Sequence, residues 1–345
     1  MSEWFHGKLH KLTYLKIYSA LNSSVAEMKL CTYELNGRRA VGVIVGEDVL
    51  LDVCTAAREV LRREIPNNMV DLLDNWRENK KILDSLLEDF DDKHLISISD
   101  VKLLAPLPRP RKIVAALVNT RGMLGGDLEK ELKHPRLFLK APNTVIGPGD
   151  VIKAPSYGIR PEVELALVIG RRITKAKKEE INDAIIGYTI LNDVTAPAEA
   201  KEDYYYAYRR DPETGEIKKT RMRGPLFRSK NHDTFTPTGP WIVTADELND
   251  TSNLEMKTIF EGETVQQGST ADYIFTPQEI TQFITKFLTL EPGDIVSCGT
   301  VAWIGQSTGD PSEQILPKNT GTLELHIEKI GTLVNKVEPE APGGV

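Results

Sequence analysis

The sequence RPEVELALVIG occupies residues 160–170, and IIGYTILND follows at residues 185–193; these two stretches decide the fold. Both are short runs rich in β-branched and aliphatic residues, which is typical of β-strands. Acidic residues stand at their ends. Glu162 and Glu164 begin the first run, and Asp193 closes the second. The two stretches therefore predict a sheet that carries carboxylates where its strands begin and end.

The rest of the chain beyond residue 106 continues this pattern. Turn residues separate further β-rich runs, which read KIVAALVN, RLFLKAPN, GPWIVT, LEMKTIFEG, DIVSCGT and TLELHIEKI. Helical spacing is confined to residues 278–289 and, more weakly, to residues 176–184. We therefore predict a mostly-β domain over residues 106–345.

The first third of the chain has a different organisation. Residues 30–52 form three β-rich runs punctuated by turn signals, and residues 55–92 have the apolar spacing of helices. Three prolines between residues 106 and 110 then forbid regular structure and indicate a linker. We predict a small α+β N-terminal domain over residues 1–105, which makes the whole chain mostly β with an α+β addition.

Composition limits the class of partner. The chain has 345 residues, 43 Lys and Arg against 50 Asp and Glu, and a formal charge of −7. A long basic tract is missing, so nucleic acid and anionic membrane surfaces have no support as partners. Three widely spaced cysteines fit a reducing compartment, and no stretch approaches the ~18 apolar residues of a membrane span. These features predict a cytoplasmic protein that binds a small molecule.

Glu162 and Glu164 point to a metal. Residues i and i+2 of a strand share a face, so the two carboxylates repel each other unless a cation lies between them. With Asp193 they make three hard oxygen ligands, which suit Mg²⁺ or Mn²⁺. An alternative is that the glutamates only decorate an exposed face of a strand.

Five motifs together resemble the fumarylacetoacetate hydrolase superfamily over residues 103–335. They are RPEVELALVIGRR, GYTILNDVTA, KNHDTFTPTGPWIVTADEL, FEGETVQQGSTADYIF and FLTLEPGDIVSCGT, in this order. The resemblance implies a twisted, mixed β-roll for this domain, a homodimer, and one divalent cation held by Glu162, Glu164 and Asp193. It also implies that Lys230 lies beside the metal and stabilises negative charge on a substrate oxygen.

The same resemblance implies a lid with a His-Glu pair that activates water in the hydrolases of the family. In this chain Met123 and Gly126 occupy the two positions, and neither moves a proton. Four acidic or histidine residues follow before Pro135, of which we select Glu129 and His134 as catalytic candidates. Asp127 and Glu131 complete the four, and an alternative is that they form a solvated helix start and loop.

A second departure follows Asp193. Thr195-Ala196-Pro197-Ala198 replaces an S-A-R-D motif in which the Arg is available for a substrate carboxylate. The longer, Tyr- and Arg-rich segment 203–223 offers Tyr205 and Arg209 as substrate contacts instead, unless it is a surface or dimer-interface hairpin. The remaining predicted substrate contacts are Asn119 and Arg121 in the lid and Thr300 in the turn after Cys298.

These features lead to one expected activity and two alternatives. We expect a metal-dependent hydrolase that cleaves a C–C bond of a 2-oxo or 1,3-dicarbonyl acid. The first alternative is a metal-dependent lyase, either a dehydratase or hydratase or a decarboxylase, acting on a 2-oxo or 2-keto-3-deoxy acid. It needs enolate stabilisation but no water activator. The second alternative is a noncatalytic member of the family.

Overall fold

The computed structural model describes residues 28–121, 123, 132–304 and 314–341, and strands are its main regular element. In chain order the strands are β1 Lys29–Leu35, β2 Arg38–Ile44, β3 Val49–Asp52, β4 Leu95–Ser97, β5 Lys102–Leu104, β6 Ile113–Leu117, β7 Arg136–Lys140, β8 Val145–Ile146, β9 Val151–Ala154, β10 Val163–Ile169, β11 Ile185–Asn192, β12 Tyr204–Arg210, β13 Ile217–Arg223, β14 Thr236–Thr244, β15 Glu255–Phe260, β16 Glu263–Ser269, β17 Ile295–Thr300, β18 Gly321–Ile327 and β19 Gly331–Pro339.

Helices are short and lie between the strands. They are α1 Val53–Ala56, which continues into a π-helical turn at Ala57–Leu61, α2 Met69–Asp74, α3 Trp76–Glu88, α4 Lys178–Asn182, α5 Pro197–Glu202, α6 Phe227–Lys230 and α7 Pro277–Thr285. The predicted sheet-rich α+β architecture is confirmed. The helical spacing at 278–289 and at 176–184 corresponds to α7 and α4.

A 12-stranded sheet forms the centre of the molecule, with the main order β4-β3-β2-β1-β14-β11-β10-β17-β6-β7. β1 joins the N-terminal strands to the rest because it pairs antiparallel with β14, with Leu30 opposite Ile242. The sheet therefore runs without interruption through residues on both sides of position 105. The domain boundary at 105/106 stays a prediction.

Strand β10 is buried along its whole length because both faces of the sheet are covered. Leu165 and Leu167 point into a core shared with a second, five-stranded sheet of order β16-β15-β18-β19-β9. Ala166 and Val168 point into a core closed by leucines of α2 and α3. Burial of each large aliphatic side chain contributes about 1.5–3 kcal/mol, so this double cover holds β10 firmly in place.

The helical region predicted over residues 55–92 is interrupted. The π-helical turn ends at Arg62, whose φ of 56° is left-handed, and Pro66 follows in an irregular segment. The Asn68 side chain then caps α2 by accepting the N–H of Asp71 at 2.9 Å. A left-handed residue and a proline both end helices, so one apolar stripe is divided into several short helices.

The insertion 203–223 folds as a separate two-stranded ribbon made of β12 and β13. In the described part of the chain, no helix is long and apolar enough to cross a membrane.

Candidate metal and substrate site

The pairing of β10 with β11 brings Glu162 and Asp193 side by side. The register places Val163 opposite Asn192, so the residues just outside these two strands are also neighbours. The N–H of Asp193 donates to the carbonyl of Glu162 at 2.9 Å, and the Asn192 side chain accepts the N–H of Glu162 at 2.9 Å. The sheet itself therefore fixes two of the three carboxylates.

Strand β17, on the other side of β10, holds the third carboxylate. Oε2 of Glu164 accepts the hydroxyl of Ser297 at 2.6 Å and the N–H of Gly299 at 3.1 Å. Gly299 has a φ of 96°, and a Cβ there would lie 2.9 Å from the Cβ of Asn119. The site thus requires glycine at this position, where the backbone turns its N–H toward Glu164.

The three carboxylates of Glu162, Glu164 and Asp193 form one cluster. They are 6%, 1% and 1% exposed, and one oxygen from each lies within 4.8 Å of the others. Three carboxylate oxygens at this separation suit a hard divalent cation such as Mg²⁺ or Mn²⁺, which binds oxygen ligands at about 2.0–2.2 Å. The donor set thus fits the metal that the sequence predicts.

Lys230, the last residue of α6, lies within this acidic cluster. Its Nζ donates to Oε2 of Glu162 at 2.6 Å and makes a further hydrogen bond to Oδ2 of Asp193. The ammonium also lies 5.2 Å from the ring centre of Phe138, a distance at which the cation is attracted to the aromatic face. Lys230 thus contacts two of the three carboxylates, and its role in stabilising charge on a substrate oxygen stays a prediction.

A second lysine that the sequence reasoning missed completes the cluster. Lys140, at the end of β7, is 1% exposed, and its Nζ donates to Oδ1 of Asp193 at 2.6 Å and to the backbone carbonyl of Lys230 at 2.7 Å. The one local signal was a lysine that closes the apolar run RLFLK. Asp193 is 53 positions away, so no local pattern joins the two residues.

Arg160 was also missed. It stands two residues before Glu162, and its Nε and Nη2 lie 2.7 Å and 2.6 Å from Oε1 of that glutamate. An arginine that stands before a proline, as in RPEVE, is expected at the surface. In the structure, however, the side chain of Arg160 is only 16% exposed. Three carboxylates are therefore surrounded by three cations.

Burial and charge shift the acid–base properties of the cluster. Burial raises the pKa of Glu164 to about 8, and the charges of Asp193 and Glu162 act in the same direction. Burial alone would also raise the pKa of Asp193, but Lys140 and Lys230 overcome it and hold this pKa at about 2. Glu164 is thus protonated at neutral pH in the metal-free protein, whereas Asp193 is charged.

The two lysines shift in opposite directions. Burial lowers the pKa of Lys140, and the charge of Lys230 adds to this effect against the attraction of Asp193. Burial acts on Lys230 as well, but Asp193 and Glu162 together raise its pKa. Lys230 therefore remains an ammonium in contact with the carboxylates.

The cluster opens into one cavity. Its described wall combines charged groups with a mainly apolar lining, namely Ala116, Leu117, Val118, Met123, Phe138, Arg160, Glu162, Glu164, Asp193, Thr195, Ala200, Leu226, Lys230 and Thr300. Thr300 is part of this wall, and its contact with substrate stays a prediction. Met123, the residue at the dyad histidine position, also lines this cavity.

The other lid residues occupy different surroundings. Asn119 donates to the carbonyls of Phe275 and Cys298, at 2.9 Å and 2.8 Å, and so ties loops together beside the site. Arg121 is exposed and donates to the carbonyl of Ala271. His134 is exposed, with its ring stacked on Phe283 at 5.1 Å. Their predicted roles stay predictions.

The remaining predictions fall on the ribbon and on the lid. Tyr205 is 53% exposed on β12, Arg209 is exposed on the same strand, and neither lines the described cavity wall. Glu129 and Gly126, with Asp127 and Glu131, lie outside the described residues. Their assignments stay predictions.

A comparison with known protein families matches residues 112–338 to the model described as fumarylacetoacetate (FAA) hydrolase C-terminal. The chain belongs to the fumarylacetoacetate hydrolase family. The resemblance drawn from the five sequence motifs is thereby confirmed.

Characterised members of this family include enzymes of more than one reaction type. The chain is 30% identical over 323 residues to oxaloacetate tautomerase YisK of Bacillus subtilis, covering 90% of this chain and all of the relative. It is 31% identical over 327 residues to maleylpyruvate hydrolase of Aquipseudomonas alcaligenes, covering 89% of this chain and 98% of the relative. Family membership alone therefore leaves the reaction open.

A solved structure of the family carries a metal. Maleylpyruvate hydrolase from Sphingobium sp. SYK-6, in complex with manganese(II) and pyruvate, matches with a TM-score of 0.67 and 25% identity, covering 91% of this chain and all of that chain. In this chain, the buried carboxylates of Glu162, Glu164 and Asp193 provide a candidate site for a divalent cation.

Proposed function

We propose that this chain is a cytoplasmic, divalent-metal-dependent enzyme that interconverts the keto and enol forms of a 2-oxo dicarboxylic acid such as oxaloacetate. The observation that carries the proposal is the position of Lys230, whose ammonium contacts Glu162 and Asp193 within the cavity. We assign Mg²⁺ or Mn²⁺ to the carboxylate cluster. A bound divalent cation would supply Lewis-acid polarisation of the 2-oxo group.

Lys230 can stabilise the charge that forms during this reaction. Tautomerisation moves a proton from C3 of the substrate to the oxygen on C2, and negative charge develops on that oxygen as the C3 proton leaves. The Lys230 ammonium stabilises this charge, as a preorganised cation does most effectively in a dry site. The apolar side chains of Phe138 and Leu226 line the cavity and limit access of water to it.

The cavity wall favours tautomerisation over hydrolysis. Met123 lies in that wall at the position assigned to the water-activating histidine, and its thioether takes up no proton. Tautomerisation consumes no water and so needs no water activator, although a base must still accept the C3 proton. The similarity to an oxaloacetate tautomerase over the whole length of that relative supports the same choice.

C–C bond hydrolysis, the activity expected from the sequence, is the second candidate. The similarity to a maleylpyruvate hydrolase over 98% of that protein favours it. Water activation would then have to come from a lid residue, with Glu129 and His134 as the candidates.

One panel of substrates separates these reactions. Purified protein loaded with Mn²⁺ is mixed with oxaloacetate, and relaxation of the enol absorbance is followed together with pyruvate release. Faster relaxation without pyruvate supports the tautomerase, whereas pyruvate release supports a decarboxylase. Cleavage of maleylpyruvate supports the hydrolase. The Asp193→Asn variant is measured on both substrates as a reference. If the wild-type protein is no faster than this variant on either substrate, every catalytic assignment is contradicted and a noncatalytic family member is favoured.

A further inference from the structure

Gln266 connects the second sheet to the candidate site. It lies on β16 and is fully buried. Its Oε1 accepts the N–H of Val163 at 3.3 Å and the hydroxyl of Thr258 at 2.8 Å. Its Nε2 donates to Oγ1 of Thr300 at 3.1 Å and to the carbonyl of Val301 at 2.9 Å. Both lone pairs of the amide oxygen and both hydrogens of the amide nitrogen are therefore used.

These contacts fix the direction in which the amide faces. A backbone N–H donates and does not accept, so the group that faces Val163 must be the amide oxygen. The amide nitrogen consequently faces Thr300, and it can only donate to the hydroxyl of that residue. Thr300 is thereby fixed as the acceptor in its contact with Gln266.

The Thr300 hydroxyl still has a proton of its own. Among the described residues, none accepts this proton within hydrogen-bond distance. Thr300 is 8% exposed, lines the cavity, and lies opposite Glu164 in the pairing of β10 with β17. A nearly buried donor without an acceptor costs free energy, and an oxygen of a ligand in the cavity would satisfy it.

We propose that Gln266 is a positioning residue, which makes Thr300 donate a hydrogen bond to an oxygen of the ligand in the cavity. This inference rests on the proposed function, in which the ligand is a 2-oxo acid. The carboxylate and keto oxygens of such an acid accept hydrogen bonds and donate none. They therefore match a hydroxyl that the protein holds as a donor before the ligand binds.

A competing explanation is that Gln266 only supports the metal ligands. Its amide oxygen accepts the N–H of Val163, which stands between Glu162 and Glu164. Under that explanation, loss of the amide weakens Mn²⁺ binding, and it weakens ligand binding whether or not Thr300 carries a hydroxyl. A role through Thr300 leaves the Mn²⁺ affinity unchanged and disappears when the hydroxyl is removed.

Calorimetric titration of the Mn²⁺-loaded protein with pyruvate separates the two roles. Thr300→Val should weaken pyruvate binding by about 10- to 100-fold, the effect of losing one hydrogen bond to a charged group. Gln266→Met should weaken it by about 3- to 10-fold, the usual cost of ordering one rotating group. Adding Gln266→Met to Thr300→Val should cause no further loss, because the hydroxyl through which Gln266 acts is then missing.

The chain provides a matched control on the same strand. Gln267, the next residue of β16, is exposed, and its amide contacts Glu255 at 3.4 Å. Gln267→Met should bind pyruvate as the wild type does. Thr300→Ser keeps the hydroxyl and should bind within about 3-fold of the wild type, so it provides a second measurement if Gln266→Met does not fold.

Three results would each overturn the inference. They are wild-type pyruvate binding in Gln266→Met, a loss from Gln266→Met that is just as large in the Thr300→Val background, and equal losses in Thr300→Ser and Thr300→Val. A wild-type protein that shows the expected dependence on Gln266 and Thr300 but does not tautomerise oxaloacetate would contradict the proposed function alone. The two failures are therefore distinguishable.

Discussion

Lys140 and Lys230 hold opposite oxygens of the same carboxylate, and the first lysine also supports the second. Nζ of Lys140 donates to Oδ1 of Asp193, Nζ of Lys230 donates to Oδ2, and Lys140 binds the backbone carbonyl of Lys230 at 2.7 Å. β7 and α6 are thereby joined at the site. Lys140 is thus suited to position Lys230 as well as to balance the charge of Asp193.

The first prediction concerns this buried pair. Lys140→Met should lower the free energy of unfolding of the metal-free protein by about 3–5 kcal/mol, because it leaves a buried carboxylate without one of its cations. Urea denaturation measures the change. Lys153→Met, which removes a half-exposed pair with Glu338, is the control and should cost about 0–1 kcal/mol. A similar small cost for both variants would show that Lys140 is not needed to stabilise Asp193.

The second prediction concerns the metal. Asp193→Asn should weaken Mn²⁺ binding by about 100-fold or more, since it removes one of three charged oxygen ligands. Calorimetric titration measures the affinity. Asp294→Asn is the control and should leave the Mn²⁺ affinity unchanged. Asp294, just before β17, is also a fully buried carboxylate, but it pairs with Lys112 and lies outside the triad. Equal Mn²⁺ affinity in the wild type and Asp193→Asn would remove this residue from the ligand set.

The third prediction concerns Lys230. Lys230→Met should reduce kcat by about 10²-fold or more, as loss of a group that stabilises an oxyanion does. Mn²⁺ affinity should stay the same or rise, because a cation that contacts Glu162 and Asp193 has been removed. Steady-state kinetics with oxaloacetate and Mn²⁺ titration give the two values. Wild-type turnover in this variant would exclude Lys230 from the mechanism.

The fourth prediction is a pH dependence. Glu164 has a folded pKa of about 8 and an ordinary value of 4.5, so between these pH values the folded metal-free protein binds a proton that the unfolded chain has lost. Its contribution to stability is therefore lost as pH rises, by up to about 1.4 kcal/mol per pH unit. Urea denaturation of the wild type and of Glu164→Gln from pH 5 to pH 8 isolates this contribution. Parallel curves would contradict the raised pKa.

The fifth prediction concerns the lid and applies to the hydrolase candidate. If the chain is a hydrolase, Glu129→Gln or His134→Ala should lower the rate of maleylpyruvate cleavage by about 10²–10⁴-fold, which is the usual contribution of a general base. If the chain is a tautomerase, neither residue is required as a water activator. Both variants should then tautomerise oxaloacetate at the wild-type rate. Rates near the wild type on maleylpyruvate would rule out both residues as the water-activating base.

Local patterns were enough to predict most strands and the acidic cluster. The spacing of Glu162 and Glu164 and the position of Asp193 at a strand end can be read within a few residues. Lys140 and Arg160 could not be recognised in this way. Both residues belong to the site because the folded sheet buries their side chains, and not because of their residue type.

The interruption of the predicted helical region has a similar explanation. The apolar spacing of residues 55–92 is helical, and it is satisfied by separate short helices that pack on one core. The pairing of β1 with β14 was also beyond local patterns, because more than 200 positions separate Leu30 from Ile242. Such pairings depend on the whole chain.

The pairing of β1 with β14 bears on how fragments of this protein would behave. Met28 accepts the N–H of Thr244 at 3.1 Å, and β14 is in turn the neighbour of β11, the strand that leads to Asp193. A shortened chain that begins after residue 105 would bare the hydrogen-bonding edge of β14, and exposed edges of this kind promote aggregation. Substitutions that weaken the pairing of β1 with β14 would accordingly expose the same edge and lower the solubility of the full-length chain.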